Sequence, residues 1–290
     1  MISQHDREEI SGNTYRLGVT FHRTFSLNRP SIAKIVQLVK ELGDKTPIGR
    51  KTIRQMTNLG SIYVEAMPRY AYGAGLLDRG NHLTKFGSFI CDHDPLLENI
   101  VTQWLIHYHL SAPHGPGPSF WHDLVVHRFL PGDEFTHAQI SAQIQQFVAS
   151  VREKPPRKED ADSSATVFIN SYTKSDGLRS IGILEEIKPK YYRVLDPDPP
   201  SPWVVAYALL DFWKAHFPNR TTINLNDLYG ENGLTSLFMI SKGRLNAMLE
   251  EMQREGMLEL YRIAPPYQVV LLAADEIPIL EKLYGVGNPG

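Results

Sequence analysis

The sequence is short of cysteine, of long apolar runs and of glycine-rich phosphate loops, and each shortage removes a class of protein. Its single cysteine, Cys91, excludes an internal disulfide and any multi-cysteine zinc site. The longest uninterrupted apolar run, residues 203–210, is far too short to span a bilayer. The first ten residues, MISQHDREEI, are polar and lack the apolar stretch of a signal peptide, so the expected location is the cytoplasm. No dinucleotide fingerprint, phosphate-cradling loop, nucleophile elbow or zinc signature occurs, which argues against ATP binding by the chain itself.

Net charge is also small, −2 over 290 residues, and by itself points to no polyanionic partner. Its distribution says more. Residues 45–91 hold seven bases (Lys45, Arg50, Lys51, Arg54, Arg69, Arg79 and Lys85) against two acids, Glu65 and Asp78. That segment is therefore +5, leaving −7 for the rest of the chain. Such asymmetry is the footprint of one basic face meeting phosphate, although a solvated helical surface would also produce it.

What the chain does contain is a series of amphipathic segments. Residues 31–42 place Ile32, Ile35, Val36, Val39 and Leu42 on one side of a helix, with Ser31 as its cap and Gly43 as its stop, and Pro47 opens the next unit. Residues 50–58 read as a short second helix with Ile53 and Met56 inward. After the turn Leu59-Gly60-Ser61, a third helix runs through Leu77, with Pro68 as a kink point. Leu83-Thr84-Lys85-Phe86-Gly87 then reads as a wing strand, completing the order of a winged helix-turn-helix. In that arrangement the third helix brings Ser61, Ile62 and Tyr63 nearest the DNA, with Arg69 further along and Lys85 on the wing. Arg50, Lys51 and Arg54 meet backbone phosphate.

Further on, residues 94–110 form a helix apolar over more than half its circumference, hence a buried one. Residues 111–119, SAPHGPGPS, are a loop, and 136–152 another helix. Residues 153–164, EKPPRKEDADSS, read as a mobile linker because they are charged and proline-bearing. Apolar helices at 203–217 and 241–255, with strands at 258–263 and 267–272, suggest a second winged helix whose hairpin spans 261–270. On its exposed helix face Lys242, Arg244 and Asn246 are candidate DNA contacts, since Asn reads adenine and Lys or Arg binds guanine or phosphate. Glu250, Glu251 and Glu255 follow at once, and the alternative is a protein-contact surface. The expected fold is thus mainly α with small β wings: a winged helix-turn-helix over 15–93, a helical middle over 94–175, and a winged-helix domain over 176–290.

Few residues suggest chemistry directly. Asp92, Asp94 and Glu98 offer oxygen ligands for a divalent ion, with helix capping by Asp94 as the competing reading. His107 and His109, two apart on a helix, point to opposite sides and cannot share a metal. His107 shares a face with Ile100 and Trp104, the setting of a core histidine. Asp176 with Glu186-Ile187-Lys188 is similar to the Asp…Glu-x-Lys pattern of metal-dependent nucleases, a pattern short enough to arise by chance.

Phe21-His22-Arg23-Thr24-Phe25, Gly75-Leu76-Leu77, Leu83-Thr84 with Phe86-Gly87, Asp92-His93-Asp94-Pro95 and Trp104-Leu105-Ile106-His107 resemble a bacterial family of formerly unknown function. So do residues 206–213, AYALLDFW, and the stretch 238–249. Members of that family are encoded beside cysteine desulfurases and reductase-like ATPases, in systems that place sulfur in the DNA backbone. The resemblance implies a magnesium-dependent nickase acting on double-stranded DNA in single-stranded phosphorothioation, with those sulfur-transfer proteins as partners. It adds weight to Asp92, Asp94 and His107 as catalytic residues, with Asp92 and Asp94 holding magnesium. A non-catalytic DNA adaptor of the modification complex and a winged-helix transcriptional regulator are the rival readings.

Overall fold

The computed structural model describes residues 7–10, 14–43, 48–151, 156–199 and 201–286. Lys45, Pro47 and residues 153–155 of the expected linker lie outside these. The chain forms two compact units, Met1–Asp196 and Pro197–Gly290. It is mainly helical, with small antiparallel sheets. The cuts expected at 93/94 and 175/176 both fall inside the first unit. There the turn after Asp94 and the loop at 175–177 are joined by one buried side chain: the Arg29 guanidinium donates to the carbonyls of Leu97, Ser175 and Gly177 at 2.5–2.7 Å.

The first unit opens with a hairpin of β1 (Arg7–Ile10) and β2 (Thr14–Leu17). Helix α1 (Arg29–Leu42) starts two residues earlier than its apolar pattern suggests, because Asn28, not Ser31, is the cap and accepts from the Ser31 N–H at 3.0 Å. Its inward stripe is the expected Ile32, Ile35, Val36 and Val39, whereas Leu42 is exposed. Helices α2 (Arg50–Thr57) and α3 (Tyr63–Gly73) follow, joined through Asn58 in a left-handed conformation. Ile53 is buried as expected. Met56 is exposed instead, so α2 contributes a single anchoring side chain.

The expected wing at 83–87 is not a strand. Thr84 caps helix α4 (Lys85–His93), accepting the Gly87 N–H at 2.8 Å, and Leu83 makes only one bridge, to Leu77. Phe86, Phe89 and Ile90 are buried at helical rather than alternating spacing, and that period prevails once Thr84 supplies the cap. Lys85 therefore stands exposed at the start of a helix, not on a hairpin.

Helix α5 (Ile100–Ser111), capped by Asn99, is buried at every position from 101 to 111. Around it come α6 (Ser119–Asp123), which widens into a π-turn over Leu124–Arg128, then β3 (Glu134–Thr136), α7 (His137–Val151) and α8 (Lys158–Thr173). Residues 158–164 of the expected linker are thus helical. Glu159 and Asp160 sit in the first turn of α8, where carboxylates favour the helix dipole, and Ala161, Ser164 and Ala165 face inward, small enough to let α7 and α8 pack closely. A sheet of order β3-β5-β4, with β4 at Leu184–Lys188 and β5 at Tyr191–Val194, closes the unit.

The second unit runs α9 (Pro202–His216), β6 (Thr222–Asn224), α10 (Leu234–Phe238), α11 (Lys242–Arg254), β7 (Leu258–Tyr261), β8 (Gln268–Leu271) and α12 (Ile277–Tyr284). Its antiparallel sheet has the order β6-β8-β7. Ser241 caps α11 through the Arg244 N–H and Gly256 turns the chain after it, both as the pattern suggests. Helix α12, which packs on α9 and buries Ile279 and Leu280, has no counterpart in the reading of the sequence.

Gly87 shows how closely α4 is seated. A Cβ there would lie 1.8 Å from the Leu76 carbonyl oxygen. Gly87→Ala should destabilise the unit by about 3 kcal/mol or more, since backbone overlap cannot be relieved by a rotamer change. Gly60→Ala, which meets open space, should stay within about 0.5 kcal/mol of the parent. Urea unfolding of both variants checks this.

Candidate nucleic-acid interface

Four of the expected contacts meet in one place. Arg50, Lys51 and Arg54 on α2 and Ser61 before α3 line a hollow of about 620 Å³ between the two helices, with Gln55, Asn58 and Glu65. Helix α2 buries only Ile53, so its remaining circumference is free to carry cations. Lys51 and Arg54 are exposed and make no ion pair among the described residues. Arg50 instead pairs with Glu65 in the first turn of α3, and Arg23 reaches the other oxygen of the same carboxylate at 3.2 Å. Tyr63 is half-buried, edge-on to Phe25 with ring centres 4.6 Å apart.

Two other expected contacts do not line this hollow, although Arg69 lines a smaller one beside it with Arg50, Glu65 and Arg79. Arg69 is buried and donates to the Phe21 carbonyl at 3.0 Å, as a support for the chain at 20–25. Lys85, at the head of α4, does not line the hollow. Arg23 entered the reading of the sequence only within the Phe21–Phe25 motif, with no binding role. It lies outside the basic segment, and its presentation depends on a tertiary turn that no local pattern announces.

The carboxylates expected to hold metal are engaged otherwise. Asp94 is buried; its Oδ1 accepts the Glu98 N–H at 3.0 Å, and its Oδ2 accepts the Asn99 N–H at 2.9 Å and the Thr102 hydroxyl at 2.6 Å. It follows α4 and caps the turn leading into α5. Asp92 is exposed on α4 and ion-paired with Lys40 of α1. Among the described residues, no group of three or more His, Cys, Asp or Glu side chains is arranged to hold a metal ion. Magnesium at this pair would have to compete with Lys40 at Asp92 and with the internal donors at Asp94.

His107 is fully buried. Its Nδ1 is hydrogen-bonded to the Tyr172 hydroxyl at 2.7 Å, and Trp121 Nε1–H donates to the same hydroxyl at 2.8 Å. Burial raises the Tyr172 phenol above its ordinary range, so it stays neutral at physiological pH. With Trp104 edge-on to the imidazole, His107 is a core histidine held by aromatic neighbours. The nuclease-like pattern is also dispersed. Glu186 and Lys188 do lie on strand β4, but Glu186 accepts the Lys190 N–H, Lys188 lies over the Tyr191 ring, and Asp176 sits in a loop accepting from Asn28.

In the second unit the three expected contacts on α11 have neighbours within the unit. Arg244 donates twice to Asp198, at 3.1 and 3.2 Å. Asn246 Oδ1 accepts from Tyr229 at 2.6 Å and from Arg262 at 3.2 Å, and Arg262 also pairs with Glu250. Lys242 lies over the Tyr229 ring at 5.3 Å.

The chain belongs to the DUF4007 family, described as proteins of unknown function, whose model matches residues 20–284. Its fold is similar to that of SspB in two crystal structures. One is magnesium-bound, with a TM-score of 0.77 at 18% identity; the other has a TM-score of 0.74 at 19% identity. Each likeness covers 93% of this chain and 89% of the other. A comparison with curated proteins finds no match. No helix among the described residues is long and apolar enough to cross a membrane.

The two aspartates should separate cleanly on substitution. Asp94→Ala removes a buried acceptor of three hydrogen bonds and should destabilise the first unit by about 2–3 kcal/mol. Asp92→Ala loses one exposed ion pair and should change stability by less than about 1 kcal/mol. Thermal unfolding compares them directly; equal effects would contradict the capping role.

Proposed function

We propose that this chain is a duplex-DNA-binding component of a bacterial DNA phosphorothioation system, and that its first unit grips the phosphate backbone through α2 and the turn into α3. The observation that carries the reading is the state of α2. Lys51 and Arg54 are exposed beside Arg50 and Ser61 around one hollow, with no ion pair among the described residues. Cations left unmatched on one face are what a polyanion neutralises, with release of its counterions. The succession α1, α2, α3 supports a helix-turn-helix, with α3 directed to the major groove. The sulfur-modification context rests on the resemblance of the sequence and on the likeness of the fold to SspB.

The second unit supports a different role. Its element order, with β8 between β6 and β7, is compatible with a winged helix. Of the candidate residues on α11, Arg244 is nevertheless matched to Asp198 and Lys242 lies over the Tyr229 ring, both within the unit. This favours a surface for protein partners over a second DNA grip, and the sulfur-transfer proteins implied by the resemblance, a cysteine desulfurase and a reductase-like ATPase, are the natural candidates.

A second reading is magnesium-dependent nicking by this chain itself, favoured by the likeness to magnesium-bound SspB. The internal partners of Asp92, Asp94 and His107 described above do not favour those side chains as its catalytic groups.

Duplex binding followed by fluorescence anisotropy over a salt series tests the first reading. Lys51→Ala with Arg54→Ala should weaken binding and flatten the plot of log affinity against log salt by roughly 2, one unit for each phosphate no longer neutralised. Arg244→Ala should leave the slope unchanged. A double variant with the parent slope would refute the assignment of these two side chains to phosphate. Incubating the parent protein with supercoiled plasmid and magnesium, with and without chelator, addresses the second reading: chelator-sensitive open circles support nicking, while binding without relaxation supports an adaptor.

A further inference from the structure

The chain at 18–25 is folded in an unusual way. Arg23 and Thr24 both adopt positive φ, at 48° and 70°, a region that L side chains and β-branched ones above all avoid. Two such residues in succession persist only where their surroundings hold them. Here the surroundings are specific. His22 is buried; its Nδ1 accepts the Thr24 N–H at 3.0 Å, so its Nε2 carries the proton and donates to Ser164 Oγ at 3.0 Å. Ser164 in turn donates to the Val19 carbonyl. Arg69 donates to the Phe21 carbonyl and Tyr70 to the Phe25 carbonyl, at 3.0 and 2.9 Å. Helices α3 and α8 thus fix one short turn.

At the apex of the turn is Arg23, whose side chain is about half exposed. It reaches one oxygen of Glu65, while Arg50 takes the other. Two guanidiniums from separate parts of the chain therefore converge on a single anion at the edge of the α2–α3 hollow. That is the arrangement by which arginines bind a phosphodiester. The anion is supplied by the protein itself, on a partly exposed carboxylate.

We infer that Glu65 is a resident counter-ion occupying the place of a DNA phosphate, and that Arg23 and Arg50 form a two-arginine phosphate clamp that opens to DNA when Glu65 is displaced. The inference rests on the DNA reading of α2 and α3 and adds to it Arg23 and an internal competitor. Exposed ion pairs are individually weak, so exchange for a polyanion that engages neighbouring cations at the same time is feasible. While Glu65 stays in place the clamp carries one net positive charge; without it, two. Glu65 therefore tempers loose phosphate binding and requires cooperation from Lys51 and Arg54.

The test is a double-mutant cycle on duplex-DNA affinity across a salt series, with thermal unfolding of each variant. Glu65→Gln should bind several-fold tighter than the parent, with a salt slope steeper by roughly 1. Arg23→Ala should bind more weakly, with a flatter slope. In an Arg23→Ala, Arg50→Ala background, Glu65→Gln should have less than about a twofold effect, since its target is gone. Should Glu65→Gln fold poorly, Glu65→Asp keeps the charge but is too short to bridge both arginines, and a smaller gain is expected. Unchanged or weaker binding by a folded Glu65 variant, or a gain that persists without the arginines, would overturn the clamp while leaving the Lys51–Arg54 reading intact. Absence of salt-dependent binding by the parent protein would overturn both.

Discussion

A helix buried on every side has to be walled on every side. Helix α5 leaves no polar face, and residues 101–111 are all covered. Nothing in a single neighbour could accomplish that. The first unit therefore surrounds α5 with the chain before it, with α6 and with α8, and the packing is close enough to dictate residue type. Gly117 is the clearest case, since a Cβ there would lie 2.1 Å from the Leu110 carbonyl oxygen. The loop around it is fastened by Arg16, which donates to the Ala112 and Gly115 carbonyls, and by the Leu17 N–H to the Pro116 carbonyl.

Burying α5 also decides what its polar residues do. A polar group inside needs a partner, and most of those of α5 find theirs in the packing itself, Gln103 Oε1 and Ser111 Oγ being exceptions among the described residues. Thr102 bonds Asp94, His107 bonds Tyr172, and Gln103 Nε2 donates to the Glu98 carbonyl. The groups that looked most chemical in this part of the sequence, Asp94 and His107, are thereby committed to holding the turn before α5 and the core around it. Charge available to a ligand is found instead at the edge, on α2, which anchors itself by Ile53 alone.

Periodicity carried much of the fold. The stripes of α1 and α11, the buried character of α5 and α9, the cap at Ser241, the turn at Gly256 and the hairpin strands near 258–272 could all be read from spacing and end signals. Failures occurred where composition and period disagreed. Residues 158–164 have the composition of a linker, yet acids in a first helical turn and small residues behind them are good helix starters. Residues 83–87 are too few to show a period, and the capping hydroxyl of Thr84 decided the outcome. Of the expected contacts, local charge singled out Arg50, Lys51 and Arg54, which remain neighbours in the fold because they share one short helix. It gave no part to Arg23, and Arg69 donates to the Phe21 carbonyl.

Arg23 was overlooked for a physical reason that bears on function. A left-handed Arg-Thr pair has no sequence signature, because the conformation is imposed by His22, Ser164, Arg69 and Tyr70 rather than preferred by the residues themselves. Were the turn only a connector, a glycine would satisfy the same backbone without strain. What a glycine would lack is the guanidinium. The backbone strain, the buried hydrogen bonds that hold it and the anion waiting at its apex converge on a single result, a cation held in place where the charge-bearing helix ends its own hollow. Glu65, counted in the sequence merely as one of two acids diluting a basic segment, is in the fold the group around which that segment's geometry is set.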